Sequence, residues 1–225
     1  IASLNCANSR WWVEYGKKIQ LAGADALELN ISFLPTREKN NPGDIEKRYY
    51  NIIQEIKKVI DIPVAVKIGP YFTSLANFAT ELAARGASAL VLFNRFYRPD
   101  LDIDSFQPTA ARPFSSPEEI HLPLRWIALL SGRLGIDLAA STGAHDAKGL
   151  IKLLLAGATV VQACSTFYEH GLGKVGEMLQ GLNDWMVKHE FASLDEVRIR
   201  MQPELSSKPE IRERLQYIRI FGGLE

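Results

Sequence analysis

One unit occurs three times along the chain, and it fixes the class of fold. Leu21-Ala22-Gly23-Ala24-Asp25-Ala26-Leu27-Glu28-Leu29-Asn30 is the first copy. Ala84-Arg85-Gly86-Ala87-Ser88-Ala89-Leu90-Val91-Leu92-Phe93-Asn94 is the second, and Leu155-Ala156-Gly157-Ala158-Thr159-Val160-Val161-Gln162-Ala163-Cys164 the third. Each reads as a helix end, a glycine and a short apolar strand. The glycine suits the left-handed position just past a helix, where a Cβ is penalised. The alanine after it lets the chain turn tightly into a sheet.

Three further strands are expected at residues 1–5, 63–68 and 136–141. All six are short and read as mostly apolar on both sides, as for parallel strands covered on both faces. Helical spacing separates them. Ile45, Tyr49, Ile52, Ile56 and Val59 follow an expected Asp44 cap, and Leu75, Phe78 and Leu82 follow Ser74. Leu150, Ile151 and Leu154 follow Asp146, and Val175, Met178, Leu179, Leu182 and Met186 follow a glycine-rich turn. Strand then helix, repeated, means α/β with right-handed crossovers. Residues 98–122, rich in Pro, Ser and Asp, read as a long connection, either a lid or binding loop or a plain surface excursion. Ile211, Leu215 and Ile218 predict a terminal helix over 208–221.

The 225 residues suit one globular domain over 1–225. Lys+Arg and Asp+Glu are both 26, which gives no reason to expect nucleic acid or an anionic membrane as partner. No apolar run approaches the roughly 20 residues of a membrane span, and no signal peptide is visible. Cys6 and Cys164 do not form a disulfide framework and fit a reducing cytoplasm. The chain opens at Ile1, without methionine and inside a strand, so further residues are expected ahead of it.

The strands end at Asn5, Asn30, Lys67, Asn94, Ser141-Thr142-Gly143 and Cys164-Ser165. In a parallel barrel those ends share one rim. An asparagine after a strand is ordinarily a turn former; three of them with a lysine at equivalent positions point to a site. Lys67, in the run Val64-Ala65-Val66-Lys67, needs an anionic partner or a wet cavity. The plain alternative is a pair with a core carboxylate such as Glu28. Thr142-Gly143 and Cys164-Ser165 offer hydroxyls and backbone N–H groups suited to an anion. His145 and His170 lie near these loops and read as surface or capping groups, while His121 and His189 have no partner in view. Trp11, Trp12 and Trp126 read as packing. No zinc spacing, Ser/His/Asp order, Walker loop or Rossmann glycine pattern is present, so no metal is expected.

Taken in order, Ala2-Ser3-Leu4-Asn5, Asp25 to Ser32, Pro63 to Lys67 with Pro70-Tyr71-Phe72, Leu92-Phe93-Asn94, Thr142-Gly143 and Gln162-Ala163-Cys164-Ser165 resemble strands three to eight of the dihydroorotate dehydrogenase family. Phe93-Asn94-Arg95-Phe96-Tyr97 and Pro123-Leu124-Arg125-Trp126-Ile127-Ala128 resemble its dihydroorotate dehydrogenase-like branch. The resemblance implies a TIM (β/α)8 barrel of which about six βα units are present, lacking the N-terminal part. It implies FMN as cofactor, with Lys67 at the flavin pyrimidine edge, Asn5 and Asn30 holding flavin, and Thr142, Gly143, Cys164 and Ser165 receiving the phosphate. Substrate would meet Asn30, Asn94 and Arg95. A cytoplasmic enzyme of pyrimidine chemistry and a homodimer are further implications. The chain departs from the family at its active-site loop, Asn-x-Ser-[Cys or Ser]-Pro-Asn, whose fourth residue is the base. Here the loop is Asn30-Ile31-Ser32-Phe33-Leu34-Pro35, and phenylalanine accepts no proton. Ser32, Tyr71 and Arg95 are the remaining candidates to act there. Glycines expected at both phosphate loops are replaced, and the glycine-rich segment between strands six and seven reads Phe114-Ser115-Ser116-Pro117-Glu118-Glu119. The expectation is an FMN-dependent oxidoreductase acting on CH–CH groups, with a non-catalytic flavin- or phosphate-binding barrel and a phosphate-binding barrel isomerase or lyase as alternatives.

Overall fold

In the computed structural model the three glycine units close alike. Gly23, Gly86 and Gly157 have φ of 91°, 97° and 105°. Behind each, the alanine N–H reaches back five residues: Ala24 to Ile19, Ala87 to Leu82 and Ala158 to Leu153. That is the Schellman closure of a helix, and it aims the chain straight into a strand. The structure describes residues 1–201 apart from Pro35, Arg37, Lys39, Tyr97 and Ala111. The helix expected over 208–221 lies outside the described residues.

The parallel strands are β1 (Ala2–Leu4), β2 (Leu27–Asn30), β3 (Val64–Ile68), β4 (Ala89–Leu92), β7 (Asp137–Ser141) and β8 (Val160–Gln162). They form one six-stranded sheet in the order β1-β2-β3-β4-β7-β8. Helices α1 (Ser9–Leu21), α2 (Pro42–Lys57), α3 (Leu75–Ala84), α4 (His121–Leu130) and α5 (Ala147–Leu155) connect them, with α6 (Ser165–His170), α7 (Gly173–Lys188) and α8 (Leu194–Arg200) following β8. The sheet is curled, because a side chain of the last strand reaches one of the second: Gln162 Nε2 lies 2.6 Å from Glu28 Oε2. This is an α/β fold with the parallel, curled sheet of a partial TIM barrel.

Residues in register on parallel strands face the same side. Ser3, Glu28, Ala65, Ala89, Val91, Ala139 and Lys67 therefore share the concave face, and Ser141 pairs with Gln162 on it. Leu27, Leu29, Val64, Val66, Ile68, Leu90, Leu92 and Leu138 take the convex face, buried under the helices. Each such side chain contributes about 2 kcal/mol of transfer energy. The expectation of strands mostly apolar on both faces is refined: the large aliphatics gather on one face, and the other carries alanines and Val91 together with the polar groups. Alternation was hidden because alanine and valine read as apolar on either side.

Helix starts follow local chemistry. α2 begins at Asn41, not Asp44: the Asn41 side chain accepts from Gly43 N, Pro42 supplies the first turn, and Asp44 lies within it. Its Tyr49, Ile52, Ile53 and Ile56 are buried. Asp146 caps α5 as expected, accepting from Gly149 N at 2.7 Å. Trp12 is buried, whereas Trp11 is half exposed.

Residues 98–122 are not one loop. β5 (Pro99–Asp102) and β6 (Gln107–Ala110) form an exposed antiparallel hairpin. At its turn Asp102 Oδ1 accepts from Asp104 N and Ser105 N. The Asp and Ser read as loop signals are the turn residues of a hairpin. A short 3-10 helix, Pro117–Ile120, then leads into α4.

Candidate functional site

A cavity of about 790 Å³ opens where the strands end. Its walls include Lys67 from β3, Asn94 and Arg95 after β4, and Thr142 and Gly143 after β7. Cys164 and Ser165, at the start of α6, complete that rim. Asn30 joins through Asn94, whose Nδ2 donates to Asn30 Oδ1 at 2.6 Å. Asn5 and Ser32 are exposed and are not among the walls. A second cavity, of about 630 Å³, shares Asn94, Arg95 and Thr142 and extends past Tyr71, Phe96 and Arg98.

Lys67 forms no direct ion pair with Glu28. Its Nζ donates to Gln162 Oε1 at 3.0 Å, and the same amide donates to Glu28. Ser3 Oγ donates to the other Glu28 oxygen at 2.8 Å. The direct pair with Glu28, the plain alternative from the sequence, is replaced by one through Gln162, the polar residue closing the short strand Val160-Val161-Gln162. Its signal was the concave register it shares with Ser141.

Arg95 faces the segment before the 3-10 helix. Its Nε donates to Glu119 Oε2 at 2.9 Å, and its other nitrogens reach Glu119 Oε1 and the carbonyls of Arg112, Pro113 and Phe114. Burial pushes the Glu119 carboxyl up, but the Arg95 hydrogen bond, the Ser116 N–H and the charges of Arg95 and Arg98 outweigh it and hold the group below its ordinary value. The same segment is tied from the other side. Ser115 N donates to Ser165 Oγ at 3.0 Å, and Ser115 Oγ lies 2.9 Å from His145 Nε2. Burial lowers the His145 pKa, which favours the neutral ring this contact accommodates. Behind it stands Glu169, paired with Arg112. His145 is thus neither a surface group nor a helix cap. Sequence spacing carried no sign of it, since Ser115 and His145 are 30 residues apart.

Thr142 and Gly143 both have positive φ, 85° and 83°. A Cβ on Gly143 would sit 2.3 Å from Ile120 N, so this glycine admits the backbone of the 3-10 helix. Phe33 packs into an aromatic group. Its ring meets Tyr49 edge-on at 5.3 Å, and Tyr49 packs on Phe72 and Phe78. Burial pushes the Tyr49 phenol up to about 12. Among the described residues no group of three or more His, Cys, Asp and Glu could hold a metal ion.

Fold and site together define a (β/α)-barrel protein whose polar groups gather at the carboxyl ends of its strands. The model of the family described as dihydroorotate dehydrogenase matches residues 1–186. The chain belongs to the dihydroorotate dehydrogenase family. Similar curated proteins include the dihydroorotate dehydrogenase B (NAD(+)) catalytic subunit of Thermoplasma volcanium, 26% identical over 204 residues, covering 88% of this chain and 66% of that protein. The subunit of the same name from Lachnoclostridium phytofermentans is 26% identical over 190 residues, covering 83% of this chain and 63% of its own. That from Pyrococcus furiosus is 26% identical over 204 residues, with 88% and 67% covered. The chain spans about two thirds of the length of these relatives.

Proposed function

We propose that the chain is the larger part of an FMN-dependent oxidoreductase barrel, which moves hydride between a small cyclic or unsaturated compound and the flavin. The observation that carries this reading is Lys67: a lysine on the concave face, held by an amide oxygen rather than a carboxylate, lining a cavity of about 790 Å³. That volume lies in the usual range for a cofactor site. The donor set fits FMN: the Lys67 cation, the Asn94 amide with Asn30 bonded to it, and a rim of hydroxyls, with Arg95 tied to Glu119 beside them.

Bound FMN would supply the two-electron acceptor. Lys67 would set a positive charge beside it, and a fixed cation there would raise its electron affinity. Thr142 and Ser165 hydroxyls, with Gly143 and Cys164 beside them, would hold the phosphate; Asn30 would hold the flavin from the β2 side, and Asn5, exposed beyond the cavity walls, would reach it only from the rim of β1. Asn30 and Asn94 present amides to the polar edge of the substrate, and Arg95 shapes the wall beside them by fastening residues 112–119. Ser32 is the proton-handling candidate next to Phe33.

Dihydroorotate is not the substrate proposed. Phe33 stands where the family's base is expected, and its ring is committed to Tyr49. The same residue motivates a second reading, a flavin-binding member without turnover. Among the described residues no helix is long and apolar enough to cross a membrane. A single barrel domain, a cytoplasmic location, a homodimer and the absence of a nucleic-acid partner belong to the proposal as well.

Reduction of an artificial electron acceptor by the FMN-loaded protein tests the reading. Turnover with a cyclic unsaturated compound or its reduced form, and none with dihydroorotate, supports it. Tight FMN binding without turnover across a broad panel would favour the non-catalytic reading.

A further inference from the structure

Four polar side chains form a line across the concave face: Ser3 on β1, Glu28 on β2, Lys67 on β3 and Gln162 on β8. Ser3 Oγ donates to Glu28 Oε1, Gln162 Nε2 to Glu28 Oε2, and Lys67 Nζ to Gln162 Oε1, at 2.8, 2.6 and 3.0 Å. Glu28 is in register with Ala65, two residues before Lys67, on the same face of the neighbouring strand. A long lysine at that diagonal position is within reach of the carboxylate. The Glu28 side chain is buried, a setting in which opposite charges attract strongly. Yet the amide of Gln162 stands between the two groups. Its orientation is forced, because turning it over would set its NH2 against the ammonium and its oxygen against the carboxylate.

We propose that Gln162 is a positioning residue that holds the Lys67 ammonium toward the cavity and keeps Glu28 from cancelling its charge. A direct Lys67–Glu28 pair would draw Nζ toward β2 and leave the cavity facing a neutral ion pair. With the amide interposed, both groups are hydrogen-bonded and the cation still faces the cavity. The inference deepens the flavin reading and rests on it for one arm of its test.

That test compares wild type with Gln162→Leu, Gln162→Glu and Glu28→Gln in the full-length protein. One readout is the midpoint potential of bound FMN. Gln162→Leu and Gln162→Glu should lower the preference for reduced over oxidised FMN by about tenfold, and Glu28→Gln should raise it. The other readout needs no flavin: the Lys67 pKa from side-chain NMR, its signal identified by loss in Lys67→Met. Gln162→Leu and Gln162→Glu should raise that pKa and Glu28→Gln should lower it. A merely structural role for Gln162 would change the melting temperature without these opposite shifts. If wild type takes up no FMN, the flavin reading fails while the NMR arm still decides the role of Gln162. A Lys67 pKa that stays put in folded Gln162→Leu and Gln162→Glu would overturn the inference.

Discussion

Asn94 donates from its side-chain Nδ2 to Asn30 Oδ1 across 2.6 Å, joining the ends of β2 and β4 over the strand between them. The bond leaves the Asn94 oxygen and the Asn30 NH2 group to meet a ligand. Asn30→Ala and Asn94→Ala should each cost about 1 kcal/mol of stability, and the double variant less than their sum. Urea denaturation of the set checks this. Full additivity would mean that the two amides do not act together.

Gly143→Ala should be among the most damaging single substitutions in the chain. The added Cβ meets Ile120 N at 2.3 Å, and the φ of 83° is unfavourable for alanine. A loss of about 3 kcal/mol is expected from strain and overpacking together. Gly23→Ala gives the control, with a φ of 91° and no atom within 4 Å of its Cβ. It should lose less, by the share that overpacking adds at Gly143.

Arg95 and Glu119 fasten residues 112–119 beside the cavity. Arg95→Lys keeps the charge but not the fork that reaches Glu119 and three carbonyls. It should speed proteolytic cutting within residues 98–116 and cost about 2 kcal/mol. The depressed pKa of Glu119 adds an acid dependence. Its contribution is present above the ordinary value of 4.5 and is lost as pH falls through the lower folded value. In Glu119→Gln that acid loss should disappear from the melting curve.

His145 titrates in the opposite chemical sense with the same outcome. Burial lowers its folded pKa, with Glu169 raising it and His170 and Arg112 lowering it further. The unfolded chain therefore takes up the proton first. Stability should be full above pH 6.5 and should fall as pH drops from there to the lower folded value. His145→Gln should flatten the melting temperature across that window, and an unchanged slope would assign the dependence to other groups.

The repeated glycine unit was enough to read the parallel α/β class, since Gly23, Gly86 and Gly157 do the same local work in the helix-to-strand turns. Strand ends converge because parallel strands share a direction, so Lys67, Asn94, Thr142 and Ser165 were legible as one rim. What could not be read depends on contacts distant in sequence. Gln162 reaches Glu28 over 134 residues, and Ser115 meets His145 only once residues 112–119 have folded back. The hairpin after β4 was missed for a different reason: Pro99, Asp102 and Ser105 carry the same signals in a turn as in an irregular loop.

The visible absorption spectrum of the purified full-length protein with added FMN, beside Lys67→Ala, tests the central claim most directly. Flavin bands that stay with wild type through gel filtration and weaken in Lys67→Ala are the predicted result. A colourless wild-type protein that retains no FMN would contradict it.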